Sequence, residues 1–360
     1  MKRIGNLINA EHVTIDLCKQ AIIDASKGKM RRRAVRRVNA HIEKYAEDVQ
    51  KLVLDGTFET SPYTYKIKVE YGKERHLQQS KFYPDQVVHH IMILLIKDKI
   101  IKRIDPYAIA SIDGRGIHYG LKKIKYWVQK EKHCRTNAKY CFKGDIRKCF
   151  GSIKPSVAMS VYEHMIKDEK YLTLMRKIIY SSDSLPLGNY ISVFTLNLML
   201  KPMDDRIRSL DCTKHYIRYM DDFIVLGANK RKMKQLDKVA KEELSKLQLN
   251  LKENYQLFKV EDRGIDIIGY RVFRNKTLLR RRNFKRIIKN VKRISSCKIY
   301  SVHDCCSIIS MLAQAKYSGS NYLYKNVGRM LNIPLVKHII GENARKKMKG
   351  FSYIPDVVLR

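Results

Sequence analysis

Acidic residues are scarce in this sequence. Lysine and arginine number 73, against 35 aspartate and glutamate residues, which gives a formal net charge of +38 at pH 7. Such an excess of one sign repels itself and is tolerated most easily beside a polyanion. Nucleic acid fits best, because basic side chains that contact phosphates release condensed counterions. A membrane surface is the competing polyanion.

Long apolar runs are also lacking. The longest, residues 91–96, is far shorter than the ~20 residues of a membrane-spanning helix. The start, Met1-Lys2-Arg3, continues with polar residues rather than with the apolar segment of a signal peptide. We therefore expect no membrane partner and a cytoplasmic location.

The eight cysteines include no C-x-x-C pair. Zinc sites are usually built from such closely spaced pairs. The spacing therefore favours reduced thiols over a structural zinc site.

Two basic stretches stand out in the first part of the chain. Residues 29–37 contain six lysine and arginine residues and no acid. A solvated helix face is one interpretation, but the density of positive charge favours a face that contacts phosphates. In residues 63–71, aromatic or aliphatic residues alternate with lysine, which predicts a half-buried strand with a basic outer face.

A pair of acids lies between two predicted strands. The sequence Tyr219-Met220-Asp221-Asp222 is flanked by β-branched and aromatic residues on both sides. Adjacent acids form turns more readily than strands. The pattern predicts a β-hairpin with two carboxylates at its tip, where a hard cation such as Mg²⁺ would bind. An ordinary solvated acidic turn is the alternative.

A further acid, Asp145, lies near the end of the strand predicted for residues 140–146. Three acids held on rigid strands can bind two Mg²⁺ ions ~3.5–4 Å apart. Such a pair of ions supports in-line phosphoryl transfer. With the basic composition, this predicts polymerisation or cleavage of nucleic acid.

The motifs resemble those of reverse transcriptases. Residues 142–150, the hairpin at 219–222 and residues 267–270 are similar to motifs A, C and E in order and spacing. The resemblance is strongest to bacterial and phage enzymes of the diversity-generating retroelement type, which are related to those of group II introns, retrons and phage-defence systems. Four more segments carry it: residues 82–90, 114–118, 187–192 and 269–283.

The resemblance implies an α+β right-hand polymerase fold. Fingers and palm, made of an antiparallel sheet plus helices, would occupy residues 1–274. A basic helical thumb would occupy residues 275–360.

The resemblance also implies site residues. Asp145, Asp221 and Asp222 are similar to the catalytic acids; with the backbone carbonyl of Ile146 they would bind two Mg²⁺ ions, or Mn²⁺ as an alternative. Phe150 resembles the aromatic gate that rejects a ribose 2′-hydroxyl.

The resemblance further implies that four other residues bind substrate. Arg75 and Arg115 would contact the triphosphate or the template. Gly188 and Asn189 would lie against the incoming base pair and the template.

Three positions depart from the family pattern. Val193 stands where a polar residue is typical of the diversity-generating enzymes. Ile112 and Asp113 stand where arginine and lysine are usual. The lysine of motif D is replaced by Asn254, with Lys252 nearby.

We therefore expect an RNA-directed DNA polymerase that makes cDNA in a diversity-generating retroelement. An antiphage-defence enzyme with a dedicated noncoding RNA is the alternative, and a non-catalytic RNA-binding scaffold or a nuclease would be a different class. Expected partners are a structured RNA template, a cDNA or primer strand and dNTPs, with an accessory protein or a second copy of the chain as a further partner.

Overall fold

A computed structural model describes residues 3–70, 73–297, 299–319, 321–348 and 357–358. The chain forms two compact units. The first contains residues 1–116, 142–225 and 229–257, and the second contains residues 117–141, 226–228 and 258–360.

Helices dominate the described residues. The helices are α1 (Ile15–Ser26), α2 (Arg33–Ala40), α3 (Ile42–Leu54), α4 (Val87–Leu94), α5 (Lys97–Arg103), α6 (Ile117–Lys125), α7 (Cys134–Asn137), α8 (Cys149–Ser152), α9 (Pro155–Met165), α10 (Glu169–Ile179), α11 (Tyr190–Met199), α12 (Lys201–Arg208), α13 (Lys230–Met233), α14 (Gln235–Lys246), α15 (Val260–Arg263), α16 (Arg281–Ser295), α17 (Val302–Tyr317), α18 (Asn321–Met330) and α19 (Ile333–Met348). Wider π-type turns occur at Phe82–Gln86 and Tyr126–Lys130.

The strands are short. They are β1 (Thr64–Glu70), β2 (Lys73–Gln79), β3 (Tyr140–Asp145), β4 (His215–Tyr219), β5 (Asp222–Gly227), β6 (Gln256–Lys259), β7 (Ile265–Ile267), β8 (Tyr270–Val272), β9 (Thr277–Leu279), β10 (Ile299–Tyr300) and β11 (Val357–Val358).

A four-stranded sheet with the order β4-β5-β3-β6 positions the candidate site. Aromatic side chains pack around it: the ring centroid of Phe142 lies 6.0 Å from that of Phe223 and 5.3 Å from that of Tyr255. Phe142 and Phe223 are fully buried. Burial of apolar side chains of this size supplies most of the stabilisation of such a sheet.

Helices of the first unit surround this core. Helix α1 packs against α3 and α4, and α9 packs against α10 and α11. Thr14 caps α1, and Asp168 caps α10 by accepting the amide of Tyr171. The Asp168 carboxylate also accepts the amide of Ile8 (3.1 Å), which fixes the segment before α1.

The second unit contains the antiparallel sheet β7-β8-β9 and the last four helices. Arg274 follows β8 and donates to the carbonyls of Val128 (3.1 Å), Cys134 (2.6 Å) and Ala138 (2.9 Å). Helix α16 packs against α17 and α18.

The structure confirms most predicted elements and corrects one prediction of burial. The hairpin at residues 215–227 and strand β3 are present. Residues 64–70 do form a strand, but Tyr65, Ile67 and Val69 are 70%, 63% and 65% exposed, so the prediction of a half-buried face is wrong. Strand β1 pairs in a two-stranded sheet with β2, and no second layer of described residues buries this face.

All eight cysteines are free thiols, as expected. Among the described residues, no helix has the length and apolar character needed to cross a bilayer.

Candidate active site

The sheet brings the predicted acids to one place. Asp145 is the last residue of β3, Asp222 is the first residue of β5, and the two strands are neighbours. The backbone amide of Ile146 donates to the carbonyl of Asp221 (3.2 Å), which ties the end of β3 to the acidic turn. All three carboxylates therefore belong to one end of the sheet.

The turn between β4 and β5 is tight. Met220 has a φ of 56°, in the left-handed region that side chains other than glycine seldom adopt. This conformation reverses the chain directly before the two acids. The sequence prediction of a hairpin with Asp221 and Asp222 at its tip is confirmed.

Two lysines contact the acids. Lys143 Nζ lies 3.4 Å from Asp222 Oδ2, and Lys252 Nζ forms an ion pair with Asp145 Oδ1. The amide of Lys252 also donates to the carbonyl of Asp145 (2.9 Å), so its backbone is fixed beside this acid. Asn254, by contrast, is exposed.

The environment of Asp222 disfavours its charged form. Burial raises the pKa of Asp222 to about 6, and the carboxylates of Asp145 and Asp221 add to the increase while Lys143 opposes it. Asp222 Oδ1 is buried and accepts no hydrogen bond from any described residue. A buried acceptor without a donor costs free energy unless another group binds it.

This set of donors fits hard divalent cations, which prefer carboxylate oxygens. In the present geometry, no three acidic, histidine or cysteine side chains of the described residues are gathered closely enough to hold an ion. In this geometry Lys143 and Lys252 each neutralise one carboxylate, Asp222 and Asp145 respectively. A cation would have to displace these lysines.

Glycine at position 144 is required by close packing. A Cβ there would overlap the ring of Phe223, which is fully buried. The absence of a side chain lets β3 approach β5 closely, and this places Asp145 next to Asp222.

A buried ion pair supports the turn from behind. Arg218 is fully buried and donates two bonds to Asp204, from Nε (2.8 Å) and from Nη2 (2.7 Å). Arg218 Nη1 donates to Asn197 (3.0 Å) and to the carbonyl of Met220 (2.9 Å). Burial opposes the charge of Arg218, but the Asp204 carboxylate outweighs it and raises the pKa of the guanidinium.

Arg115 lies in a different environment from the acids. Its Nη1 donates to the carbonyl of Asp105 (3.1 Å), and the Asp105 carboxylate pairs with Arg208 (2.7 Å). Of the two departures beside Arg115, Ile112 is buried, and Asp113 pairs with Lys97 (2.5 Å).

The loop before α11 is held by side-chain hydrogen bonds. Asn189 is 4% exposed; its Nδ2 donates to Tyr63 Oη (2.9 Å) and its Oδ1 accepts from Ser80 (3.1 Å). Gly188 has a φ of 130°, and a Cβ there would meet the backbone of Gln78 at 3.3 Å. Any contact of this loop with a ligand would therefore come from its backbone rather than from the Asn189 amide.

The remaining predicted residues are Phe150 and Arg75. Phe150 is half-buried in α8, the short helix that follows β3. Arg75 belongs to β2, where its Cα pairs with that of Lys68, and its side chain lies outside the described residues.

The sequence profile of the family "Reverse transcriptase (RNA-dependent DNA polymerase)" matches residues 84–272. This segment covers more than half of the chain and contains β3, the acidic turn and Lys252. The chain belongs to the reverse transcriptase family. No curated protein matches the sequence.

The reverse transcriptase is thus an RNA-directed DNA polymerase, a nucleotidyltransferase, with an RNA template, a primer and dNTPs as substrates. Its helices and antiparallel sheets agree with the α+β polymerase fold expected from the motifs. Residues 1–83 and 273–360 lie outside the match.

Sequence reasoning missed two parts of this reverse transcriptase site. Lys143 precedes Asp145 by two residues on one strand, so the two side chains share a face of the sheet; that spacing is a signal for the contact with the acids. Arg218 lies in an apolar strand directly before the acidic turn, but its partner Asp204 is fourteen residues away, and no spacing rule predicts that pair.

Proposed function

We propose that this reverse transcriptase copies RNA into cDNA at the cluster formed by Asp145, Asp221 and Asp222. The observation that carries the proposal is the meeting of Asp145 and Asp222 at the ends of neighbouring strands, with Asp222 Oδ1 buried and without a donor among the described residues. The three carboxylates, with the carbonyl of Ile146, would hold two Mg²⁺ ions, or Mn²⁺. When bound, such ions would activate the primer hydroxyl and neutralise charge on the leaving pyrophosphate.

Side chains around the acids have distinct roles in this proposal. Lys143 and Lys252 keep the carboxylates neutralised before metal binds. Lys252 would then protonate the leaving pyrophosphate, a role that the exposed Asn254 cannot take because its amide has no acidic proton. Phe150 excludes the ribose 2′-hydroxyl, while Arg75, Arg115 and the backbone of residues 188–189 contact the triphosphate and the template.

Primer extension on an RNA template with Mg²⁺ and dNTPs tests the activity. We expect Asp222→Ala to lower the rate by at least about a hundredfold, because it removes charge stabilisation from the reacting phosphate. Asp211→Ala is the matched control, since Asp211 is an exposed acid outside the cluster. Equal extension by wild type and Asp222→Ala would contradict the role of this cluster, and no extension by either protein would favour a non-catalytic RNA-binding scaffold.

Within the family, we propose a role in a diversity-generating retroelement, with a structured noncoding RNA as template and an accessory protein or a second copy of the chain as partner. Residues 1–274 would act as fingers and palm, and residues 275–360 as a basic thumb. The motifs at residues 82–90, 114–118 and 187–192 support this assignment. Sequencing of the cDNA tests it: errors concentrated opposite template adenines are expected.

Antiphage defence with a dedicated noncoding RNA is the second candidate. Val193 favours it, because a half-buried aliphatic residue on α11 replaces the polar residue typical of the diversity-generating enzymes. Faithful copying at adenines would support defence and contradict the retroelement role.

A further inference from the structure

A basic segment lies at the end of the sheet away from the acids. Strands β4 and β5 form one hairpin, so the acidic turn is at one end, and the residues before β4 and after β5 are at the other. Strand β5 rises about 3.4 Å per residue, so its end at Gly227 lies roughly 17 Å from Asp222. Residues 229–235 follow and belong to the first unit. A ligand bound to them therefore lies outside the acid cluster.

Four cations of this segment have no acidic partner. We name the group the basic corner: Lys230, Arg231, Lys232 and Lys234. All four side chains are exposed, and none forms an ion pair with an acid among the described residues. The exposed lysines of the next helix, α14, differ, because each pairs with an acid three or four residues away: Lys238, Lys241 and Lys246. Both segments are rich in lysine, but the charge of the basic corner is uncompensated.

The backbone of the basic corner is fixed. Asn229 Oδ1 accepts the amides of Arg231 (2.9 Å) and Lys232 (3.2 Å). Met233 and Leu236 are fully buried and anchor the segment, and α14 packs against α12. The four cations therefore extend from a rigid base, which lowers the entropy lost when they bind an extended anion.

The basic corner borders a concavity of about 550 Å³. The lining consists of three residues that follow α12 and three from the start of α13 and α14: Ser209, Leu210, Asp211, Arg231, Lys232 and Gln235. Asp211 is the one acid of this lining, and it pairs with neither cation. The local charge stays positive, so we assign the contacts with an anion to the four cations alone.

The side chains of this surface favour one class of polyanion. The one apolar residue of the segment 230–234, Met233, is buried, whereas membrane-binding segments insert exposed apolar side chains. No residue of the basic corner or of the concavity is aromatic, whereas unpaired strands are bound by stacking of their bases on aromatic rings. Base-paired RNA is recognised through its shape, phosphates and sugars instead, and its phosphates release counterions to such cations.

We propose that the basic corner binds the phosphate backbone of a base-paired RNA segment, at the end of the sheet opposite the acids. The enzyme then holds a folded part of its RNA at this surface while an unpaired part is copied at the acid cluster. The proposal rests on the RNA-copying function proposed above, because it concerns the structured RNA that carries the template.

Binding of duplex RNA without catalysis tests this surface. The protein carrying Asp222→Ala is titrated, without Mg²⁺ or dNTPs, against a labelled RNA duplex of about twenty base pairs at several salt concentrations. The corner variant replaces all four cations: Lys230→Gln, Arg231→Gln, Lys232→Gln and Lys234→Gln. We expect at least about tenfold weaker binding near 100 mM salt, and a salt slope smaller by about three, since each phosphate contact contributes about 0.9 to it.

The matched control removes the same charge from lysines of the first unit that already pair with acids: Lys201→Gln, Lys238→Gln, Lys241→Gln and Lys246→Gln. We expect it to weaken binding by less than about threefold, because it changes the net charge but removes no phosphate contact. Melting curves of both variants check that the fold is kept.

Primer extension separates this surface from the acid cluster. In the background with intact acids, the corner variant should copy a short linear RNA template within about twofold of the wild-type rate. On a template that also carries a stable RNA hairpin, its KM for the template should rise at least about fivefold over wild type, because the duplex contacts are lost.

Three results would overturn the proposal. Equal effects of the corner variant and its control would reduce the surface to net charge. An equal loss of binding to a single-stranded oligouridine would make it a site for unpaired RNA. Loss of binding to phosphatidylserine vesicles, with duplex binding kept, would make it a membrane contact. Failure of the unmodified protein to copy the short linear template would instead contradict the RNA-copying function.

Discussion

Asp222 holds its proton more strongly than an ordinary aspartate. Its carboxyl group is buried beside two like charges, and its pKa rises to about 6 despite the contact with Lys143. Below that pH the protonated form predominates. Because a metal ligand must be deprotonated, a proton on Asp222 competes with the cation.

We expect cation affinity to fall as the pH is lowered through 6. With a pKa of about 6, roughly a tenth of the Asp222 carboxyl groups are ionised at pH 5, so Mn²⁺ should bind about tenfold more weakly than at pH 7.5. Electron paramagnetic resonance of Mn²⁺ measures this. Asp222→Asn should bind Mn²⁺ more weakly at every pH and lose most of the pH dependence. An unchanged pH dependence in Asp222→Asn would show that other groups cause it.

Phe150 provides a second prediction for a single residue. If the ring excludes the 2′-hydroxyl, Phe150→Ala should raise incorporation of ribonucleotides relative to deoxynucleotides by about tenfold or more, since steric selection of one group is worth about 1–3 kcal/mol. Competing extension with dNTP and rNTP measures the ratio. Phe150→Tyr, which keeps the ring, serves as the control, and equal sugar selection in Phe150→Ala and wild type would remove the gate role.

At the scale of elements, the hairpin β4-β5 depends on what lies behind it. Arg218 connects Asp204 on α12 to the carbonyl of Met220 in the turn. The residue thereby supports the turn that carries the acids. A buried charge with one partner removed is strongly destabilising, because the remaining charge has no compensation.

Arg218→Lys tests this positioning role. Lysine keeps the charge but cannot donate to Asp204 and Met220 together, so we expect a loss of about 1–3 kcal/mol in the free energy of unfolding. We also expect a lower kcat, a higher Mg²⁺ requirement and little change in the KM for dNTP. Urea unfolding and metal-dependent primer extension measure these quantities.

Arg206→Lys is the matched control, since Arg206 is exposed on α12. A loss of stability in Arg218→Lys without any change in the Mg²⁺ requirement would make Arg218 a structural residue alone.

For the whole molecule, the charge of +38 governs encounter with nucleic acid. The logarithm of the binding constant should fall linearly with the logarithm of salt concentration, with a slope near −0.7 for each phosphate contacted in a single strand. For about six contacts this amounts to roughly 300-fold between 50 and 200 mM salt. Titrations of single-stranded RNA at four salt concentrations measure the slope, and a change below about threefold would contradict phosphate-dominated binding.

Local features of the sequence predicted much of the site. The hairpin at residues 215–227 follows from β-branched residues on both sides of two turn-forming acids, and β3 follows from the same preferences. The exposure of Tyr65, Ile67 and Val69 was not predictable, because alternation along a strand does not reveal whether another layer covers it. The roles assigned to Phe150, Arg75 and Arg115 stay predictions.

By itself, the sequence determined the net charge, which depends on composition alone, and the acidic hairpin and the motifs of the reverse transcriptase family, each of which depends on residues close together in the chain. The motifs also implied that Asp145 joins Asp222, and the sheet order agrees. Tertiary structure alone decided that Lys252 rather than Asn254 contacts the acids, and that the basic turn before α2 borders a cavity. The physical reason is packing: these residues are far apart in sequence, and only burial of the strands and helices between them brings them into contact.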